Sequence, residues 1–184
     1  MALRLAPYAV ACTLGLAFVS GGLASLPKVG TRLGVLTIPR LNVTTPVDQC
    51  GLDCFTKAWP AELAAGPGHY PGTRLPWQTG LSVLSGHRTT YTHPFRWINK
   101  LQKGDRIIWT VRHVHYVYRV TGMLIVQPRD FSTLGLRAVE VPGGWTLTPR
   151  SNKGHRLALV ACHPPHYASH RIAVLATLVA ERPV

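Results

Sequence analysis

The sequence predicts a mainly β fold, a small barrel or sandwich of about seven or eight short strands with little helix. Three observations support this. First, the 184 residues include 15 prolines and 17 glycines, which divide the chain into short pieces. Second, the pieces between them are rich in β-branched and aromatic residues with strand-like alternation. Third, apolar spacing of the helical kind is confined to short stretches. Hydrophobic content of 46% with 15% charged residues excludes a disordered chain.

The elements follow in order. "GVLTIP" and "LNVTTPV" read as two strands broken at Pro39 and Pro46, because proline cannot donate to a ladder. Residues 48–80 lack a period and predict irregular chain, with one helical turn at "PAELAA" and turns at "GPGHYPGT". "LSVLSGH" is an apolar strand ending at Gly86. "HPFRWINKL" suits a short helix that places Phe95, Ile98 and Leu101 on one face. "DRIIWTVR" and "HVHYVYRVTGMLIV" are strands, and "RAVEVPGGWTLTP" is a weaker strand followed by a loop. "RLALVAC" and "RIAVLATLV" add two more.

The N-terminal stretch predicts the compartment. "PYAVACTLGLAFVSGGLASL", residues 7–26, carries no charge. It is long enough to cross a hydrocarbon core of about 30 Å at about 1.5 Å per helical residue. We read residues 1–6 as a short cytoplasmic end, 7–26 as one transmembrane helix, 27–33 as a linker and 34–184 as a single exported domain. A cleaved signal peptide is the rival reading, but "GGLASLPK" is a weak cleavage site. On this reading the protein is a single-pass protein of the cell membrane with an extracellular domain. Twenty Lys and Arg against seven Asp and Glu predict attraction to an anionic surface, membrane or cell-wall polymer. The basic residues are scattered and no nucleic-acid motif is apparent, so nucleic acid is not an expected partner.

Export makes a local disulfide between Cys50 and Cys54 of "CGLDC" reasonable. Cys162 is then left as a free exported thiol at the end of an apolar strand. Arg171 begins the following strand. If the two strands pair across "HPPHYASH", the cysteine and the permanent cation lie at the same end of the sheet. The bland alternative is a core thiol beside a solvated arginine. His163, His166 and His170 crowd the same loop. His163 neighbours Cys162 along a strand and so faces the other way. Zinc held by Cys162, His166 and His170 is a second alternative, although residues 141–180 contain no Asp or Glu. His87, which follows Gly86 at the end of another apolar strand, is either a catalytic partner or an ordinary turn histidine.

"SGHRTTYTHPFRWINKLQKGDRIIW", "GPGHYPGT" and "CHPPHYASHRI" closely resemble sequences of the sortases, the cell-wall cysteine transpeptidases, and look most like class E. The resemblance covers roughly residues 33–180. It implies an eight-stranded sortase β-barrel without a required cofactor. It also implies Cys162 as nucleophile, His87 as general acid and base, and Arg171 as the group that holds substrate or stabilises the oxyanion. The implied substrates are exported proteins with a C-terminal Leu-Ala/Pro-x-Thr-Gly sorting signal, cleaved between Thr and Gly. The implied acceptor is an amine of a cell-wall precursor or a pilin. One departure stands out. Sortases carry "TLxTC" into the cysteine, whereas this chain has "ALVAC", with Ala158 and Ala161 in the threonine positions. That departure motivates an alternative, a catalytically weakened sortase-like protein that binds sorting peptides or anionic cell-wall polymer.

Overall fold

The computed structural model describes residues 27–52, 54, 63–141 and 144–184. The transmembrane helix expected at 7–26, the cytoplasmic end before it and the first half of the helical turn expected at "PAELAA" lie outside the described residues. Among the described residues, no helix is long and apolar enough to cross a membrane.

Among the described residues, ten strands run in chain order as β1 (Arg32–Ile38), β2 (Val43–Gln49), β3 (Gly68–His69), β4 (Gly80–Ser85), β5 (Arg106–Val111), β6 (Val114–Val126), β7 (Leu136–Val141), β8 (Gly144–Pro149), β9 (His155–His163) and β10 (His170–Pro183). Eight of them close a barrel in the order β1-β2-β3-β4-β9-β10-β6-β5, and β7 and β8 form a separate two-stranded sheet. The predicted strands map onto this frame, with two differences. The turn-rich "GPGHYPGT" contributes β3, whose two residues bridge β2 and β4. The weak strand followed by a loop is instead a hairpin, β7–β8, because its second half also alternates. "HPFRWINKL" forms only a 3-10 turn at Ile98–Lys100. Phe95, Ile98 and Leu101 are nevertheless all buried, as the spacing required.

Strand alternation sorts the core into two layers. Leu36, Ile38, Trp109, Tyr118, Leu157, Leu159 and Val174 fill the barrel interior. Leu81, Val83, Ala158, Val160 and Ala173 face the other way, outward from β4, β9 and β10. They are covered by Leu136 and Leu147 of the hairpin and by the segment containing Cys50 and Cys54. Those two cysteines form a disulfide with Cα atoms 5.7 Å apart. It packs directly on Gly68, where an added Cβ would lie 2.1 Å from Cys50 Sγ. This outer face of β4-β9-β10 leads to the site.

Candidate active site

β10 lies between β9 and β6, and its antiparallel register with β9 places Arg171 directly opposite Cys162 and His170 opposite His163. Directly paired residues share a face, so Cys162 and Arg171 project together. Both are half-buried. They continue the outward row of Ala158, Val160 and Ala173, so an apolar floor leads up to them.

β4 runs parallel to β9, with Leu81 level with Arg156 and Ser85 level with Val160. The Gly86 N–H extends the ladder by donating to the Val160 carbonyl at 3.0 Å. Carried on by two residues from the Ser85–Val160 pair, the same register sets His87 level with Cys162. The parity that sends Leu81 and Val83 outward also sends His87 outward. His87, Cys162 and Arg171 thus meet at one end of three adjacent strands, although His87 and Cys162 are far apart in sequence.

Local packing holds His87 at that level. The Phe95 N–H donates to the His87 carbonyl at 3.1 Å. The Phe95 ring presses on Gly86 so closely that a Cβ there would lie 2.6 Å from it, which explains the glycine before the histidine. The His87 ring is half-buried and tilted against Tyr91, with centroids 5.2 Å apart. Burial holds its pKa below the ordinary value, favouring the neutral imidazole. Neutral imidazole can accept a thiol proton and then return it to an amine.

On Arg171, Nη1 donates to the Ala168 and His170 carbonyls, each at 3.0 Å. These bonds fix the guanidinium at the rim. Among the described residues its other nitrogens have no protein acceptor, so they can serve a substrate carbonyl.

The histidines of the loop divide differently. His163 faces away from Cys162 and meets Arg88, whose Nη1 donates to His163 Nδ1 at 3.1 Å. Burial, then Arg88, then His170 lower the His163 pKa. His170 lies between Gln127 and Ser169. His166 is exposed in the turn. Among the described residues, no group of three or more His, Cys, Asp or Glu could hold a metal ion.

Sequence reasoning passed over Arg88, the residue after His87. It is 4% exposed and reaches the Cys162 carbonyl through Nη1 at 3.4 Å. The signal was available in parity: if His87 faces outward, its neighbour faces the barrel end. Ala161, the residue before Cys162, is 2% exposed in the interior layer and faces away from the thiol. Ala158 is buried in the outer layer, one strand turn and more below the thiol.

The Sortase domain family model matches residues 36–179. The chain is 28% identical to sortase D of Bacillus subtilis over 144 residues, 78% of this chain and 61% of that protein. It is 30% identical to sortase SrtE1 of Streptomyces coelicolor over 160 residues, 84% of this chain and 42% of that protein. The chain therefore spans less than two thirds of the length of either relative. Among solved structures, sortase E1 of Streptomyces coelicolor with a tripeptide in the active site superimposes with a TM-score of 0.66 at 29% identity, covering 84% of this chain and 91% of that one. The closed eight-stranded barrel and the match over most of the chain agree: the protein belongs to the sortase family.

Proposed function

We propose that the protein is a membrane-anchored cysteine transpeptidase that cleaves a C-terminal sorting motif of the Leu-Ala/Pro-x-Thr-Gly type between Thr and Gly. The observation that carries this reading is the pairing of Cys162 with Arg171 across β9 and β10, with His87 two residues beyond the Ser85–Val160 pair of β4 and β9. The tripeptide in the active site of the Streptomyces coelicolor sortase E1 structure is consistent with a peptide substrate.

In this mechanism, His87 takes the Cys162 thiol proton, and Cys162 Sγ attacks the Thr carbonyl carbon. Arg171 donates to the carbonyl oxygen as negative charge develops there. When the tetrahedral intermediate collapses, the Thr–Gly C–N bond breaks, His87 gives its proton to the departing Gly amine, and a thioacyl enzyme remains. An amine of a cell-wall precursor or pilin then attacks the thioester. His87 takes a proton from that amine and returns it to the Cys162 sulfur as the new amide forms. The anchor at residues 7–26 would hold the domain on the extracellular side of the membrane, within reach of exported substrates and the growing wall. The net charge of +13 suits that anionic setting.

The test is mass spectrometry of the protein after incubation with a panel of sorting peptides. A thioacyl adduct on Cys162 is expected, absent from Cys162→Ala and His87→Ala. Full turnover by Cys162→Ala would sink the proposal. The weakened-enzyme alternative rests on the alanines at 158 and 161. Ala161 faces the barrel interior and takes no group away from the Cys162–Arg171 surface. Unchanged turnover in Ala161→Thr would therefore discard that alternative.

A further inference from the structure

The backbone ladder between β4 and β9 ends just before the reacting residues. Its last pair is Ser85–Val160, extended only by the Gly86 N–H to the Val160 carbonyl. β9 itself ends at His163. Main-chain pairing of these two strands therefore stops short of both His87 and Cys162.

One side chain spans this gap. The Arg88 guanidinium donates from Nη1 to the Cys162 carbonyl at 3.4 Å and to His163 Nδ1 at 3.1 Å. Its other edge holds the segment after β4. Nε and Nη2 donate to the Arg96 carbonyl at 3.4 and 3.2 Å, and Nη2 donates to Asn99 Oδ1 at 2.7 Å. We propose that Arg88 is a positioning residue of the active site, a fork that locks the Cys162 end of β9 to the segment carrying His87. The proposal rests on the reading that those two residues react together.

The chemistry of the environment supports this role. Arg88 is 4% exposed, and among the described residues its partners are neutral oxygens and an imidazole, with no carboxylate. The ion pairs of the described residues are Arg32–Asp48 and Arg40–Asp105, both elsewhere. Burying a cation without an anion is costly, and an apolar side chain would fill a barrel end at lower cost. Burial acts against the Arg88 charge, and the interaction with Cys162 acts in its favour. A fork with five N–H donors in one plane can serve four acceptors on two chain segments at once, whereas an ammonium cannot.

The test uses Arg88→Met, Arg88→Lys and Asn99→Ala in the full chain. Two rates are followed below the melting temperature: turnover of a sorting peptide, and alkylation of Cys162 by iodoacetamide at neutral pH. Displacing reacting groups by about 1 Å costs about 10²-fold, so Arg88→Met should lower kcat by about that factor. KM should stay within about threefold, because Arg88 lies on the face opposite the Cys162–Arg171 surface. Alkylation should slow as well. Arg88→Lys should fail to rescue either rate, since charge alone does not restore the fork. Asn99→Ala, which leaves Arg88 in place and removes one acceptor, should show a smaller fall in both. If Arg88→Met does not fold, the other two variants decide. Folded variants whose kcat and alkylation rate both stay within twofold of the parent protein would overturn the proposal. Alkylation needs no peptide. If the parent protein turns over no sorting peptide, the proposed function fails while the alkylation arm still tests Arg88.

Discussion

Arg171 and Cys162 are direct cross-strand partners at the rim of the barrel, fixed by a register that continues without interruption from His170–His163 down to Thr177–Arg156. A guanidinium so placed needs no loop rearrangement to meet a carbonyl above the thiol. Its own bonds to Ala168 and His170 hold it there before substrate arrives. Such preorganisation is what makes an oxyanion donor effective.

Arg171→Ala should therefore lower kcat by about 10²–10³-fold while the melting temperature changes little, because the side chain is only half-buried. Arg171→Lys should recover only part of the loss, since an ammonium lacks the planar fork. Steady-state kinetics with a quenched-fluorescence sorting peptide, alongside thermal unfolding, check both. A kcat for Arg171→Ala near that of the parent would remove the residue from the mechanism.

Burial lowers the pKa of His87, so the imidazole stays neutral further into the acidic range than an exposed histidine. On the proposed mechanism, acylation needs the neutral ring to accept the thiol proton. The acidic limb of kcat/KM should accordingly fall below the ordinary histidine value of 6.5. The sign is definite, because a lowered pKa extends activity toward acid. A pH profile of single-turnover acylation measures it, and a limb above 6.5 would contradict the desolvated environment described for the ring.

Gly86→Ala should disturb the site through Phe95. The new Cβ would sit 2.6 Å from the ring, which is itself fully buried and cannot swing away. Overpacking of this kind costs about 1–3 kcal/mol. His87 should move with the segment, so turnover should fall more than the loss of stability explains. Urea unfolding and turnover at one temperature separate the two effects.

Gly68→Ala should conflict with the disulfide, because its Cβ would lie 2.1 Å from Cys50 Sγ. The other close contacts are Leu63 Cδ2 at 2.7 Å, the end of a flexible side chain, and Cys50 Cβ at 3.3 Å, a milder contact that alanine at position 50 would retain. The substitution should cost about 1–3 kcal/mol in the parent and clearly less in a Cys50→Ala, Cys54→Ala background. A double-mutant cycle from urea midpoints gives the coupling, and strict additivity would contradict the packing.

Much of the barrel was legible because alternation is a local signal: Tyr116, Tyr118 and Val120 declare a buried face without help from the rest of the chain. β3 was not legible, since two residues in a turn-rich stretch become a strand only when β2 and β4 flank them. Nor was β8, whose partner strand was itself weak. In the site, Cys162 and Arg171 could be placed together from sequence alone because their strands are consecutive. His87 could be singled out from sequence at the end of an apolar strand, but only the resemblance chose between its two readings, since a parallel pairing between β4 and β9 leaves no local trace. Arg88 was missed for a related reason. An arginine after a strand reads as solvated, and only the tertiary fold buries it.

β10 sits between β9 and β6 and supplies Arg171 to Cys162. Sealing the cylinder and bringing Arg171 beside Cys162 are therefore one event. A chain that has β4 through β9 in place but has not seated β10 has an open seam and a cysteine without its guanidinium. On the proposed mechanism a chain in that state would lack its oxyanion donor, and acyl transfer would wait on the closed barrel. In that mechanism architecture would act as a safeguard, since the strand that closes the barrel also brings Arg171 to Cys162.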